Sequence, residues 1–202
     1  MNLERIVLEG PSIRLEPLTL AHASRLFAHA SAEIFRWMVD WPLDLSLKAY
    51  LEWERRGLEI PSSLLFAIVL RNTGEPIGST AYLDARPSNR AIEIGRSWIG
   101  KGHQGTAANP ESKLLLLRHA FEEWGALRVQ LKTDARNLHS QRAIEKLGAV
   151  REGTLRNYQV RADGRPRDTV MYSITAAEWP TVRVGLERRL EEIGRRTLPP
   201  TA

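Results

Sequence analysis

The 202-residue chain contains no cysteine. That excludes disulfides, thiolate metal sites and any acyl-cysteine intermediate. Nor is there an apolar run approaching the roughly 18 residues of a membrane helix. The N-terminal MNLERIVLEGP carries Glu4 and Glu9 and has no long apolar core, unlike a signal peptide. The expectation is a cytoplasmic protein with no membrane partner. Histidines are few: His22, His29, His103, His119 and His139 never form an H-x-x-x-H pair, so no metal is expected. Repeats and low-complexity linkers are missing too. A chain of this length fits one domain that buries about two-thirds of its unfolded surface.

What is present is an ordinary globular balance, 43% apolar and 26% charged. The net charge of +5 raises a nucleic-acid reading, which the distribution opposes. Residues 181–202 hold five Arg and three Glu, so +2 of the +5 sits on the C-terminal segment. The remainder is scattered among acids, and aromatics do not interleave with the basic residues as a stacking platform requires. A mildly basic surface also suits a polyanionic small ligand.

Periodicity and punctuation predict the order β-α-α-β-β-β-α-β-α-β-β-α. IRLEP at Ile13 reads as a strand, and Thr19 caps a helix to about Ala30. FRWMVDWPLD (Phe35 to Asp44) reads as a loop with two tryptophans, broken by Pro42. Ser46 opens a helix over Leu47 to Glu59. Leu64–Leu70, Ile77–Leu83 and Ala91–Ile99 read as strands separated by the turns NTGEP and RPSN. A helix from Pro110 to Trp124 ends at Gly125, and a strand runs from Leu127 to Asp134. Ser140 to Leu147 is a short helix ended by Gly148. Val150–Val160 and Arg167–Thr175 form a hairpin around ADGR, and the T-A-A-E at Thr175 predicts a capping box for a last helix to about Arg196.

The segment WIGKGHQGTAANPESK spells G-x-G-x-x-G at Gly100, Gly102 and Gly105. A triphosphate loop needs G-x-x-x-x-G-K-[ST], and the lysine is missing. A dinucleotide loop is opposed by Asp134, 29 positions past Gly105 where about 20 is usual, and by Glu93 and Arg96 in a strand that should be continuously apolar. The third reading is an anion nest over Gln104, Gly105, Thr106, Ala107, Ala108 and Asn109, whose backbone N–H groups hold a pyrophosphate at a helix start. Asn109 as N-cap with Pro110 at the first helical position serves the same turn.

The loop combines with NLHSQRAIEKLGA from Asn137, EGTLR from Glu152 and DTVMYSI from Asp168. Together these resemble the GNAT superfamily of CoA-dependent N-acetyltransferases, closest to its RimJ/RimL-like branch of ribosomal-protein N-terminal acetyltransferases. The resemblance runs from Ile13 to Tyr172. It implies an α/β fold with a mixed, mostly antiparallel, twisted sheet of about seven strands, flanked by helices and splayed at the cofactor site. The domain spans 1–175, and 176–202 is a helix and tail packed on it or at a homodimer contact.

The family's phosphate pattern falls on Gln104, Ala107 and Asn109. Ala107 stands where glycine is usual, and Asn109, where Gly or Ala is usual, narrows the approach of the phosphates. Trp98 and Ile99 would hydrogen-bond the pantetheine arm of acetyl-CoA, and a backbone N–H there would polarise the thioester carbonyl. Asn137 would contact the cofactor arm and Ser140 would lie beside the sulfur, although both also suit simple helix capping. Many members place a tyrosine at the Ser140 position.

The acceptor amine must be neutral to attack, which an α-amino group with a pKa near about 8 achieves more readily than a lysine. Glu93 is the candidate base, with Asp84 in reserve. With no cysteine, direct transfer is favoured over a covalent relay. Trp37, Trp41, Asp84 and Tyr158 are the candidate acceptor contacts. The acceptor could be a ribosomal or other protein N-terminus or a small amine. A non-catalytic CoA-binding sensor is the alternative.

Overall fold

Alternating apolar residues dictate which strand faces enter a core, and here both faces are covered along part of the sheet. The computed structural model describes residues 3–41 and 43–197. Eight strands make one sheet: β1 (Leu8–Glu9), β2 (Ile13–Pro17), β3 (Leu64–Leu70), β4 (Pro76–Arg86), β5 (Ala91–Ile99), β6 (Arg128–Asp134), β7 (Val150–Val160) and β8 (Pro166–Thr175). They lie in the order β1-β2-β3-β4-β5-β6-β8-β7. Every pairing is antiparallel except β5 with β6. The strand beyond the expected seven is the two-residue β1, too short to leave an alternation.

Among the described residues six α-helices flank the sheet: α1 (Leu20–Leu26), α2 (Ala32–Phe35), α3 (Leu47–Leu58), α4 (Ala108–Arg118), α5 (Leu138–Glu145) and α6 (Trp179–Thr197). Side-chain oxygens of Thr19, Ser31, Ser46 and Asn137 accept from first-turn N–H groups of α1, α2, α3 and α5. Each such cap contributes about 1 kcal/mol. The predicted first helix gives way at Phe27 to a 3₁₀ turn, Phe27–His29, and α2 lies between it and the expected loop, ending on that loop's first residue, Phe35. Pro42, expected to break that loop, and residues 198–202 of the tail lie outside the described residues.

One core lies between the sheet and α4 and α6, with Ile92, Ile94, Leu116, Val129, Leu131 and Tyr172. Val182 and Leu186 of α6 belong to it, so the helix packs its apolar stripe on its own domain. Its start is only half of the expected box. Thr175 N and Oγ1 both donate to Glu178 Oε2 at 2.7 and 2.8 Å, and the helix begins at Trp179. The second core, on the opposite face, gathers Leu26, Phe35, Trp41, Tyr50, Trp53, Ala81 and Trp98 under α1–α3. Among the described residues no helix is long and apolar enough to cross a membrane.

Candidate active site

The parallel ladder between β5 and β6 is short: Ala91 pairs with Arg128, Ile92 with Val129 and Glu93 with Gln130. Beyond Glu93 the strands part. β5 continues to Ile99 against β4 alone, and β6 continues to Asp134 against β8 alone. The sheet therefore opens as a V with Glu93 and Gln130 at its apex. Along the far arm, β5 bulges where the register steps from Ala81↔Gly95 to Ser79↔Trp98. The paired residues are unequally spaced on the two strands there, and Arg96 takes a positive φ of 46°.

The bulge is pinned from both faces. Arg96 lies 3.8 Å over the Trp53 ring and pairs with Asp40 at 3.0 Å and Glu54 at 3.4 Å. Burial raises the Glu54 carboxyl above its ordinary value, partly offset by Arg96 and by the Tyr50 hydroxyl that donates to it. On the other face Lys113 Nζ donates to Ser97 Oγ at 2.9 Å and Thr80 Oγ1 at 3.1 Å. Complete burial pushes the Lys113 ammonium down to about 7. The motif marks Lys113 only as a position in a pattern, and nothing in the sequence signals the bulge it supports.

The loop at the open end of β5 assigns each glycine a different task. Gly105 has φ +78°, and a Cβ there would meet nothing within 4 Å, so backbone conformation alone demands glycine. Gly100 is required by close approach, since a Cβ would lie 2.8 Å from His29 Cβ. Gly102 shows neither constraint. Gln104 Nε2 folds back onto Ile99 O at 3.0 Å, closing the loop. Thr106 Oγ1 donates to His103 O and accepts from Ala108 N.

The helix starts earlier than expected. Ala107 is the N-cap, without a side-chain hydrogen bond, and Asn109 and Pro110 already lie in the first turn. Asn109 is therefore not the cap. Across the V, Asn137 Oδ1 accepts from Ser140 N at 3.1 Å, so Asn137 caps α5, and Ser140 stands half-buried in the first turn.

The β5–β6–β8 face opposite α4 is polar. Glu93 is 1% exposed, with Oε2 paired to Lys132 Nζ at 2.9 Å and accepting from Gln130 Nε2 at 3.1 Å. Oε1 lies beside Gly95, 2.9 Å from where a Cβ would be, so a side chain at 95 would collide with the carboxylate and with Leu83. Asp84 joins the same group through Arg86 Nε at 3.3 Å, and Arg86 donates to Gln130 Oε1. Lys132 Nζ sits 5.7 Å from the Tyr158 ring centroid. Three residues singled out separately in sequence, Glu93, Asp84 and Tyr158, thus meet through Gln130 and Lys132.

The two tryptophans separate. Trp41 stacks on Phe35 with centroids 3.7 Å apart and is 8% exposed, a core anchor, which corrects its expected contact with the acceptor. Trp37 stays half-buried beside the guanidinium groups of Arg36, Arg136 and Arg161, at 5.0, 5.1 and 5.9 Å. Arg161 Nη2 donates to Arg36 O, and Ala162 N to Val39 O, so the β7–β8 turn closes against this loop. Buried Asp134 balances the cations, meeting Arg136 at 2.9 Å and Arg161 at 3.5 Å. Its burial alone would raise its carboxyl, but hydrogen bonds from Arg136 and the charge of Arg167 hold it below the ordinary value. These arginines are not legible as a group because they come from three separate segments.

Histidine spacing gives no sign of a metal pair, yet folding brings His29 and His103 together with Glu75.

The acetyltransferase (GNAT) domain family matches residues 12–150, which include the V and the glycine loop. The crystal structure of a "putative acetyltransferase" from T. thermophilus superposes with a TM-score of 0.89 at 40% identity, covering 94% of this chain and 100% of that one. The "uncharacterized N-acetyltransferase p20" of Bacillus licheniformis is 29% identical over 56% of this chain and only 63% of its own length. The "putative ribosomal N-acetyltransferase YdaF" of Bacillus subtilis (strain 168) is 26% identical over 82% of this chain and 90% of its own. A parallel pair that parts at a buried carboxylate, a phosphate-type loop at the end of the first strand and a family match across both place this chain in the GNAT family of acetyltransferases.

Proposed function

We propose that the chain moves an acetyl group from acetyl-CoA directly to a primary amine. The observation that carries this is the buried carboxylate of Glu93 at the point where β5 and β6 part. Acetyl-CoA would lie along the open arm of β5. Loop amides from Gly105 to Asn109 would meet the pyrophosphate, and backbone groups near Trp98 and Ile99 the arm. The small side chains Gly105, Ala107 and Ala108 suit such an approach.

The amine would enter on the polar face. Its nitrogen attacks the thioester carbonyl carbon, a C–N bond forms, the C–S bond breaks and the thiolate leaves. A backbone N–H fixed beside the bulge stabilises the oxygen as it gains charge, the kind of donor that is usually worth most. Glu93 Oε1 takes the amine proton directly or through one water. Ser140, across the V, would donate to the leaving sulfur. Trp37 and Tyr158 with the loop around Asp84 form the acceptor wall. The likeness to YdaF supports a protein N-terminus, ribosomal in origin, as the acceptor class.

The test is Glu93→Gln. Acetylation of N-terminal peptides should fall by at least roughly a hundredfold, the usual share of a general base, while acetyl-CoA affinity holds. Unchanged turnover would overturn the base assignment. The second reading, a CoA-binding sensor, is favoured by the serine at 140 where the family often has tyrosine. It requires wild-type protein to bind acetyl-CoA yet acetylate no peptide or small amine.

A further inference from the structure

We propose that His29, Glu75 and His103 form a site for one divalent first-row transition ion, of the zinc class, fastening the glycine loop to the turn after α1 and to the β3–β4 turn. The three residues come from separate segments. His29 ends the 3₁₀ turn after α1, Glu75 lies in the turn joining β3 to β4, and His103 ends the short turn Lys101–His103 in the loop. Their ligand atoms all lie within 4.8 Å of one another. His29 Nε2 is already 3.1 Å from Glu75 Oε1, and the two imidazoles stand edge to face with centroids 5.6 Å apart.

Zinc bonds of about 2.0–2.1 Å in a tetrahedron hold ligand atoms roughly 3.3 Å apart. One pair already meets that spacing, and the others need to close by at most about 1.5 Å, a movement of side chains alone. A hydrogen-bonded His–Glu pair needs no third member, whereas here a second imidazole is brought to the same point.

The backbones behind the ligands are held. Gly100 N bonds Ile77 O, His103 N bonds Gly100 O, and Glu75 N bonds Thr73 Oγ1. Gly100 packs directly on His29, which is what allows the loop to come this close. Two imidazoles and one carboxylate are a donor set for zinc, cobalt or nickel and a poor one for magnesium or calcium. All three residues are partly exposed, which leaves a fourth position for water. The site does not depend on the acetyl-transfer reading, since its ligands are not among the residues assigned to that reaction.

Calorimetric titration of tag-free, EDTA-stripped protein with zinc, with magnesium as control, tests the site. Metal content should be measured after dialysis. One zinc per chain is expected, with a higher melting temperature and no response to magnesium. His29→Gln, Glu75→Gln and His103→Gln should each weaken binding roughly tenfold or more, while exposed His139→Gln leaves it unchanged. Melting of each stripped variant shows whether it folds. No stoichiometric binding by the wild type, or binding that survives in the double variant His29→Gln/His103→Gln, would overturn the proposal.

Discussion

Lys113 sits wholly buried between α4 and the sheet, with two hydroxyl partners and no carboxylate among its hydrogen bonds. In an unfolded chain its ammonium would keep its proton up to about 10.5, whereas in the fold it is lost near 7. Between those values the unfolded chain binds more protons, so this residue makes stability rise with pH across that window. Lys113→Met should flatten the rise, as read from urea unfolding between about pH 7 and 10. The sequence points to Glu93 because it is the carboxylate on the strand that feeds the glycine loop. It cannot show that Trp41 stacks on Phe35, since residues six apart in an irregular loop have no fixed spatial relation. Arg96 is equally hidden, for a residue read as an ordinary strand position turns out to sit at positive φ and to reach Trp53.

At the scale of elements, capping and turn chemistry are legible because they depend on neighbours within a few residues. Thr19 and Ser46 cap as read, Gly148 follows α5 at positive φ, and Gly125, also at positive φ, follows the π-helical turn His119–Glu123 that continues α4. Less local features are not. The start of α4 moves from Pro110 to Ala108 because Thr106 accepts from the amide of Ala108, and the β5 bulge depends on a partner strand. The glycine loop offers a test of element-level reasoning. Gly105→Ala forces a side chain into a left-handed backbone in open space, which costs about 1 kcal/mol, and it should weaken acetyl-CoA binding more than it lowers the melting temperature. Gly100→Ala drives a methyl group into His29 and should lower the melting temperature further. Calorimetry and thermal melts on the two variants separate these effects.

At the scale of the whole molecule, two cores on opposite sheet faces leave the polar patch of β6 and β8 to be held by charge. Asp134 is the centre of that patch, tying Arg136, Arg161 and Arg167, and through Arg161 the loop at Arg36. Asp134→Asn strands the buried Arg167 and the half-buried Arg161 and should cost about 3 kcal/mol in a denaturant melt. Because its carboxyl is held below the ordinary value near 3.8, that support is full above the ordinary value and fades as pH falls through the lowered one. The parting of β5 from β6 has a further consequence. Backbone groups freed for a ligand normally sit on the rim of a sheet, where a strand of another molecule can zip onto them and start aggregation. Here they line the inside of the V, with β5 on one side and β6 on the other, so a strand of another molecule would have to enter between the two to pair with them. On the proposed reading the fold would offer the cofactor arm a rail of backbone hydrogen bonds while keeping it off the sheet's rim.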